Sequence, residues 1–210
     1  QGLGHTHHHA RTQHQHDGGK RGNGDFVPPH QFAQPIKPAR RARGKLPVIS
    51  SIVCEGIDDA KVHARMAKEA GAAGLDVMPP HHWLRFGYRP DHVRHYFDAI
   101  AEAGLDLIAH VYPAWTRASY STNVMADLAR HPAVQAFKVG QRDMNKYAAD
   151  IAAVRAADPS KAILTCHDEY LLASMVQGVD GALVGFATFI PNLIADLWQA
   201  VKDGDLKRAM

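Results

Sequence analysis

Val134-Gln135-Ala136-Phe137-Lys138-Val139-Gly140 decides how the rest of this chain is read. It is a short run of β-favouring residues that ends in a lone lysine and a glycine, the pattern of an apolar strand running out into a loop. Alternation places Ala136 and Lys138 on one face and Gln135 and Phe137 on the other, because successive side chains of a strand point to opposite sides. Lys138 therefore stands at the strand's C-terminal mouth. It either points into whatever the sheet encloses or merely closes the strand in solvent, since lysine is almost never fully buried without a partner.

Outward from this strand, strand-like and helical runs alternate. Before it come a strand over 106–111, a loop through Pro113, a helix capped by Ser121 and a stop at His131-Pro132. Earlier still lie a strand over 46–53, a helix over 58–70 closed by Gly71, and a strand over 74–78. A loop around Pro79-Pro80 then leads to a helix opened by Pro90, whose Val93, Tyr96, Phe97, Ile100 and Ala101 keep the 3.6-residue spacing of one buried face. Gly104 ends it. After Lys138 the order is a helix near 145–157, a strand over 162–166, a helix over 169–177 and a strand over 181–185. The last helix carries Leu193, Ile194, Leu197, Trp198 and Val201 on one side. Six such βα units predict an α/β fold with a parallel sheet covered by helices. A doubly wound sheet would announce a phosphate loop after its first strand, and Ser50-Ser51-Ile52-Val53-Cys54-Glu55-Gly56 lacks that glycine fingerprint. A (β/α)8 TIM barrel places its chemistry at the C-terminal ends of its strands, where this chain has His110 and Tyr112, Lys138, and then Cys166, His167 and Asp168. The barrel is the expected fold, with six units visible and the domain running from 46 to 210.

Residues 1–45 have a different composition. They hold eight basic and two acidic residues, a balance of +6, while the remaining 16 basic and 19 acidic residues give the body −3. Seven of the fifteen histidines lie here among Gln, Gly, Pro and Arg, without either period, so a disordered His/Arg-rich leader is expected. His5-Thr6-His7-His8-His9 offers imidazoles to a metal without a fixed geometry, which makes a His-rich metal-binding protein a competing reading. Arg40-Arg41-Ala42-Arg43 lacks interleaved aromatics, so no nucleic-acid partner is expected. No apolar run reaches membrane-spanning length, and no signal-like segment precedes the separated Cys54 and Cys166. A reducing, cytoplasmic setting without a membrane is expected. The chain opens on Gln rather than Met, which points to a fragment or a processed product.

The strand ends indicate a chemistry. In a water-poor barrel mouth low dielectric penalises the ammonium form of a lysine, and a free amine attacks a carbonyl to give a Schiff base. The iminium serves as an electron sink for making or breaking an adjacent carbon–carbon bond, provided a second group carries protons. His110 and Tyr112, two apart and so on one face, are both candidates for that group, while Leu107, Ala109 and Val111 supply the face expected to meet the helices. Arg117, Arg85 and loop amides are candidates for holding a substrate carboxylate.

From residue 46 onward the sequence resembles the family of dihydrodipicolinate synthase and N-acetylneuraminate lyase, the lysine-dependent class I aldolases. Leu46-Pro47-Val48-Ile49 is similar to that family's Pro-Val-Ile strand, and Phe97-Asp98-Ala99-Ile100-Ala101 to its helix before the catalytic tyrosine strand. Pro113, Pro132 and Lys138 keep the family's spacing without a gap. Gly178-Val179-Asp180-Gly181-Ala182-Leu183-Val184 is similar to its glycine-rich entry into the last barrel strand, and Gly204-Asp205-Leu206 to the helix beyond. The resemblance implies a lyase or aldolase acting on pyruvate or a related 2-oxo acid, with Lys138 as the Schiff-base residue and no cofactor or metal. It also implies a homo-oligomer, commonly a dimer of dimers.

Several residues depart from the family pattern. His110 falls on the position of the family's tyrosine, with Tyr112 one pleat further out on the same face. Trp115 stands where the synthases have a carboxylate-binding arginine, with Arg117 nearby as its replacement. His81-His82 replaces a Tyr-Tyr pair. The resemblance makes Arg117, Trp115, His81, His82 and Val184 the expected substrate-binding residues of a divergent member. By the same resemblance the six units match the third through eighth of the barrel, and the Thr-Thr-Gly-Glu segment that binds the pyruvyl carboxylate belongs to the second. A catalytically inactive barrel fragment serving as a binding or assembly module is therefore the second competing reading.

Overall fold

Apolar strands separated by amphipathic helices can bury both faces only as a parallel sheet, and that is the architecture found. The computed structural model describes residues 46–111 and 120–210, apart from the side chains of Leu84 and Arg85. Strands β1 (Ile49–Ile52), β2 (Gly74–Val77), β3 (Asp106–Val111), β4 (Val134–Val139), β5 (Ala162–Thr165) and β6 (Gly181–Ala182) pair in chain order, all parallel. Each strand lies beside its predecessor with no reversal of order, the path of a barrel wall; a doubly wound sheet reverses partway. Among the described residues the sheet stays open, β1 and β6 each pairing on one side only. Near those margins Ile49, Val53, Phe186 and Phe189 are exposed.

The register stacks like with like. Ile52, Val77, Ala109, Phe137 and Ile163 lie side by side across five strands, each at most 1% exposed, and form the floor against which the helices pack. Helix α1 (Ile57–Glu69) approaches closely because its buried positions are Ala60, Ala64 and Ala67. A short helix α2 (His81–Phe86) follows β2, where the sequence predicts a loop. Six residues cannot sustain a helix by propensity; Trp83 anchors this one, its ring centroid 5.5 Å from that of Tyr96. Helix α3 (Pro90–Ala101) buries Val93, Tyr96, Phe97 and Ile100 as its spacing predicts, and Gly104 turns the chain away at φ +67°, a conformation other residues rarely adopt.

Helices α4 (Thr122–Ala129) and α5 (Met144–Ala157) are joined through Asp150, which is fully buried and accepts hydrogen bonds from Thr122 Oγ1 at 2.8 Å and Lys146 Nζ at 2.7 Å. The predicted cap is present, Ser121 Oγ accepting from the Val124 amide at 3.3 Å. Ser121→Ala should destabilise the protein by about 1 kcal/mol, read as a lower denaturation midpoint with an unchanged slope. The helix expected over 169–177 divides into a 3-10 turn (Asp168–Tyr170) and α6 (Leu171–Met175). Helix α7 (Pro191–Lys202) rests Ile194, Leu197, Trp198 and Val201 on the core but leaves Leu193 exposed, and α8 (Leu206–Ala209) ends the chain. No described helix is long and apolar enough to cross a membrane.

Candidate active site

The face of the sheet opposite the helices carries a cluster of polar and charged side chains. Ser51 is in register with Asp76 and His110 with Lys138, and Cys166 follows β5 directly. Near the C-terminal ends of the strands these residues form a polar row on two successive levels, Ser51 and Asp76 one pleat before His110 and Lys138. Ser51 Oγ donates to Asp76 Oδ2 at 3.3 Å, and His110 Nδ1 lies 3.0 Å from the same oxygen. His110 Nε2 lies 3.9 Å from Cys166 Sγ. His110 and Asp76 are 5% and 6% exposed, whereas Lys138 is half-buried, open enough to meet a ligand. Burial pushes the Cys166 thiol above its ordinary range, against the pull of the neighbouring Lys138. Cys166 is thus a thiol lining the site rather than a thiolate nucleophile. The row offers an amine for carbonyl attack and, on the adjacent strand, an imidazole backed by a carboxylate.

Of the residues singled out by sequence, Lys138 and His110 are brought together. Tyr112, Trp115 and Arg117 lie outside the described residues, as does the Arg85 side chain. Val184 is buried in the core just beyond β6. His81 and His82 open α2 and are engaged by Glu55 rather than by the row. Each oxygen of Glu55 accepts from one histidine's backbone N–H and faces the same residue's Nδ1, at 2.7–3.0 Å throughout. Asp76 and Glu55 are the two groups that sequence reading passed over. A lone carboxylate in the otherwise apolar run Gly74-Leu75-Asp76-Val77-Met78, on the face shared with the strand-end histidine, is the signal that marks Asp76. Among the described residues no cluster of three His, Cys, Asp or Glu is arranged to hold a metal.

Burial alone would raise the Glu55 carboxyl, but the four groups of His81 and His82 outweigh it and bring it down to about 2. A carboxyl whose folded value is lowered contributes stability that is complete above its unfolded value of 4.5 and fades as pH falls towards 2. Glu55 is half exposed, so screening keeps that contribution below about 1 kcal/mol. Thermal melts of the parent and Glu55→Gln should differ by a small margin at about pH 5 and converge as pH drops from about 4.5 to 2.

The described geometry agrees with three kinds of likeness. Residues 36–210 match the model of the dihydrodipicolinate synthetase family. An uncharacterized DapA-like lyase of Thermofilum pendens is 28% identical over 169 residues, covering 80% of this chain and 55% of that protein. A 4-hydroxy-tetrahydrodipicolinate synthase of Acidiphilium cryptum is 30% identical over 172 residues, covering 80% and 56%. Among solved structures, the prophage protein YagE from Escherichia coli K12, in complex with pyruvate, superposes with a TM-score of 0.75 at 22% identity, covering 86% of this chain and 63% of that one. This last likeness concerns the fold. The chain spans about half the length of the curated relatives it matches.

Proposed function

Because the chain belongs to the dihydrodipicolinate synthetase family, we propose that Lys138 forms a Schiff base with pyruvate or a related 2-oxo acid, and that the protein makes or breaks the carbon–carbon bond beyond it. The observation that carries this reading is Lys138 on the inward face in register with buried His110, at the strand ends where a barrel does its chemistry.

The lysine amine adds to the 2-oxo carbon, and loss of water gives an iminium. In the cleavage direction His110 takes the proton from a hydroxyl on the carbon beyond the scissile bond. The bonding pair flows into the iminium to leave an enamine, and an aldehyde departs. The proton returns from His110 to the enamine carbon, and water releases the 2-oxo acid and the free amine. Arg117 and loop amides hold the carboxylate in this proposal, with Trp115 as apolar wall, while Val184 serves the core behind it. His81 and His82, which Glu55 holds, are the remaining substrate contacts in this proposal.

Enamine formation has a direct readout with pyruvate alone. In deuterium oxide the protein should exchange the methyl protons of pyruvate for deuterium faster than buffer does, followed by proton NMR. Exchange no faster than buffer contradicts the proposal and favours an inactive barrel unit.

A further inference from the structure

We infer that Asp76 is a positioning residue for the proton transfer, holding His110 through Nδ1 so that Nε2 is the atom that takes and returns the proton beside Lys138. This rests on the Schiff-base reading above and goes one residue beyond it.

Three observations support the assignment. The fold has no need of a carboxylate here: Leu75 and Val77, which flank Asp76 in β2, are fully buried and apolar, and an aliphatic residue would suit such a parallel strand equally well. The hydrogen bonding is lopsided. Ser51 and His110 both address Oδ2, while Oδ1, also buried, finds no partner among the described residues. The third observation is the direction of the contact. A carboxylate only accepts, so the His110 nitrogen 3.0 Å from Asp76 Oδ2 is the one that carries a hydrogen, and whenever the ring holds a single hydrogen its lone pair lies on Nε2. That nitrogen faces Cys166 and the strand end where Lys138 stands. Asp76 thereby selects the tautomer able to accept a proton at the amine, and its charge stabilises the imidazolium formed when the proton arrives.

Asp76→Asn tests this. An amide can accept from Nδ1 or donate to it, so the tautomer is no longer dictated and the counter-charge is gone. Exchange of the pyruvate methyl protons should fall roughly 100-fold, while borohydride in the presence of pyruvate still fixes the adduct on Lys138. Asp76→Glu, which keeps an acceptor, should retain more exchange than Asp76→Asn. In a His110→Gln background Asp76→Asn should have no further effect, because it acts only through the ring. Nitrogen-15 shifts of His110 should show a protonated Nδ1 in the parent and a mixture of tautomers in Asp76→Asn, a signature independent of turnover. Unchanged exchange and an unchanged His110 tautomer in Asp76→Asn overturn the inference and leave the Schiff-base reading intact. Absence of both adduct and exchange in the parent overturns that reading first, and this inference with it.

Discussion

Lys138→Ala is expected to reduce pyruvate methyl exchange to the buffer rate, a loss on the order of 10⁵-fold or more, and to abolish the reduced adduct. The size follows from the role: without the amine there is no iminium and hence no electron sink for the enamine. Lys138→Arg should fail just as completely. Its guanidinium keeps the positive charge beside Cys166 but cannot serve as the nucleophile, so the pair of variants separates charge from covalent chemistry. Neither should unfold the protein. The side chain is half-buried at the end of β4, while Phe137 and Val139 on either side hold the strand to the helices. Retained thermal stability within about 1 kcal/mol of the parent would show that the loss is chemical.

His110→Gln is the second large effect. Proton transfer by a positioned imidazole contributes about 10²–10⁴-fold, and exchange should fall by that factor while the amine remains able to condense. Glutamine keeps a donor for Asp76 Oδ2, so the buried carboxylate is not abandoned and the variant should fold. The two variants therefore divide the reaction. Lys138→Ala removes adduct and exchange together, whereas His110→Gln leaves the adduct and lowers the exchange. If His110→Gln retained full exchange, the proton carrier would have to be another group, and Tyr112 is the other candidate from the sequence.

The strands were legible because burial on two faces leaves β-rich runs bounded by glycine and proline, and all six predicted strands are present. The alternation in 106–111 correctly sent Leu107, Ala109 and Val111 to the helices and His110 to the other face. Helix α2 was not legible, since its existence depends on Trp83 packing against Tyr96 and on Glu55 meeting the first two amides, contacts between residues distant in sequence. The last helix shows the limit of periodicity in the other direction. Its apolar side was read correctly, yet Leu193 is exposed, because a pattern gives the face of a helix and not what covers it. Asp76 was in plain view as a lone charge in an apolar strand. Its meaning depends on a side-chain contact with a histidine thirty-four positions away, which lies diagonally across β3, two residues beyond Asp76's register partner Ile108.

Condensation of the Lys138 amine with a 2-oxo acid is read by borohydride reduction of the protein with pyruvate, followed by intact mass and peptide mapping. One covalent pyruvate-derived adduct per chain is expected, located on Lys138, and none without pyruvate. An unmodified chain, or an adduct spread over surface lysines with Lys138 untouched, would contradict it.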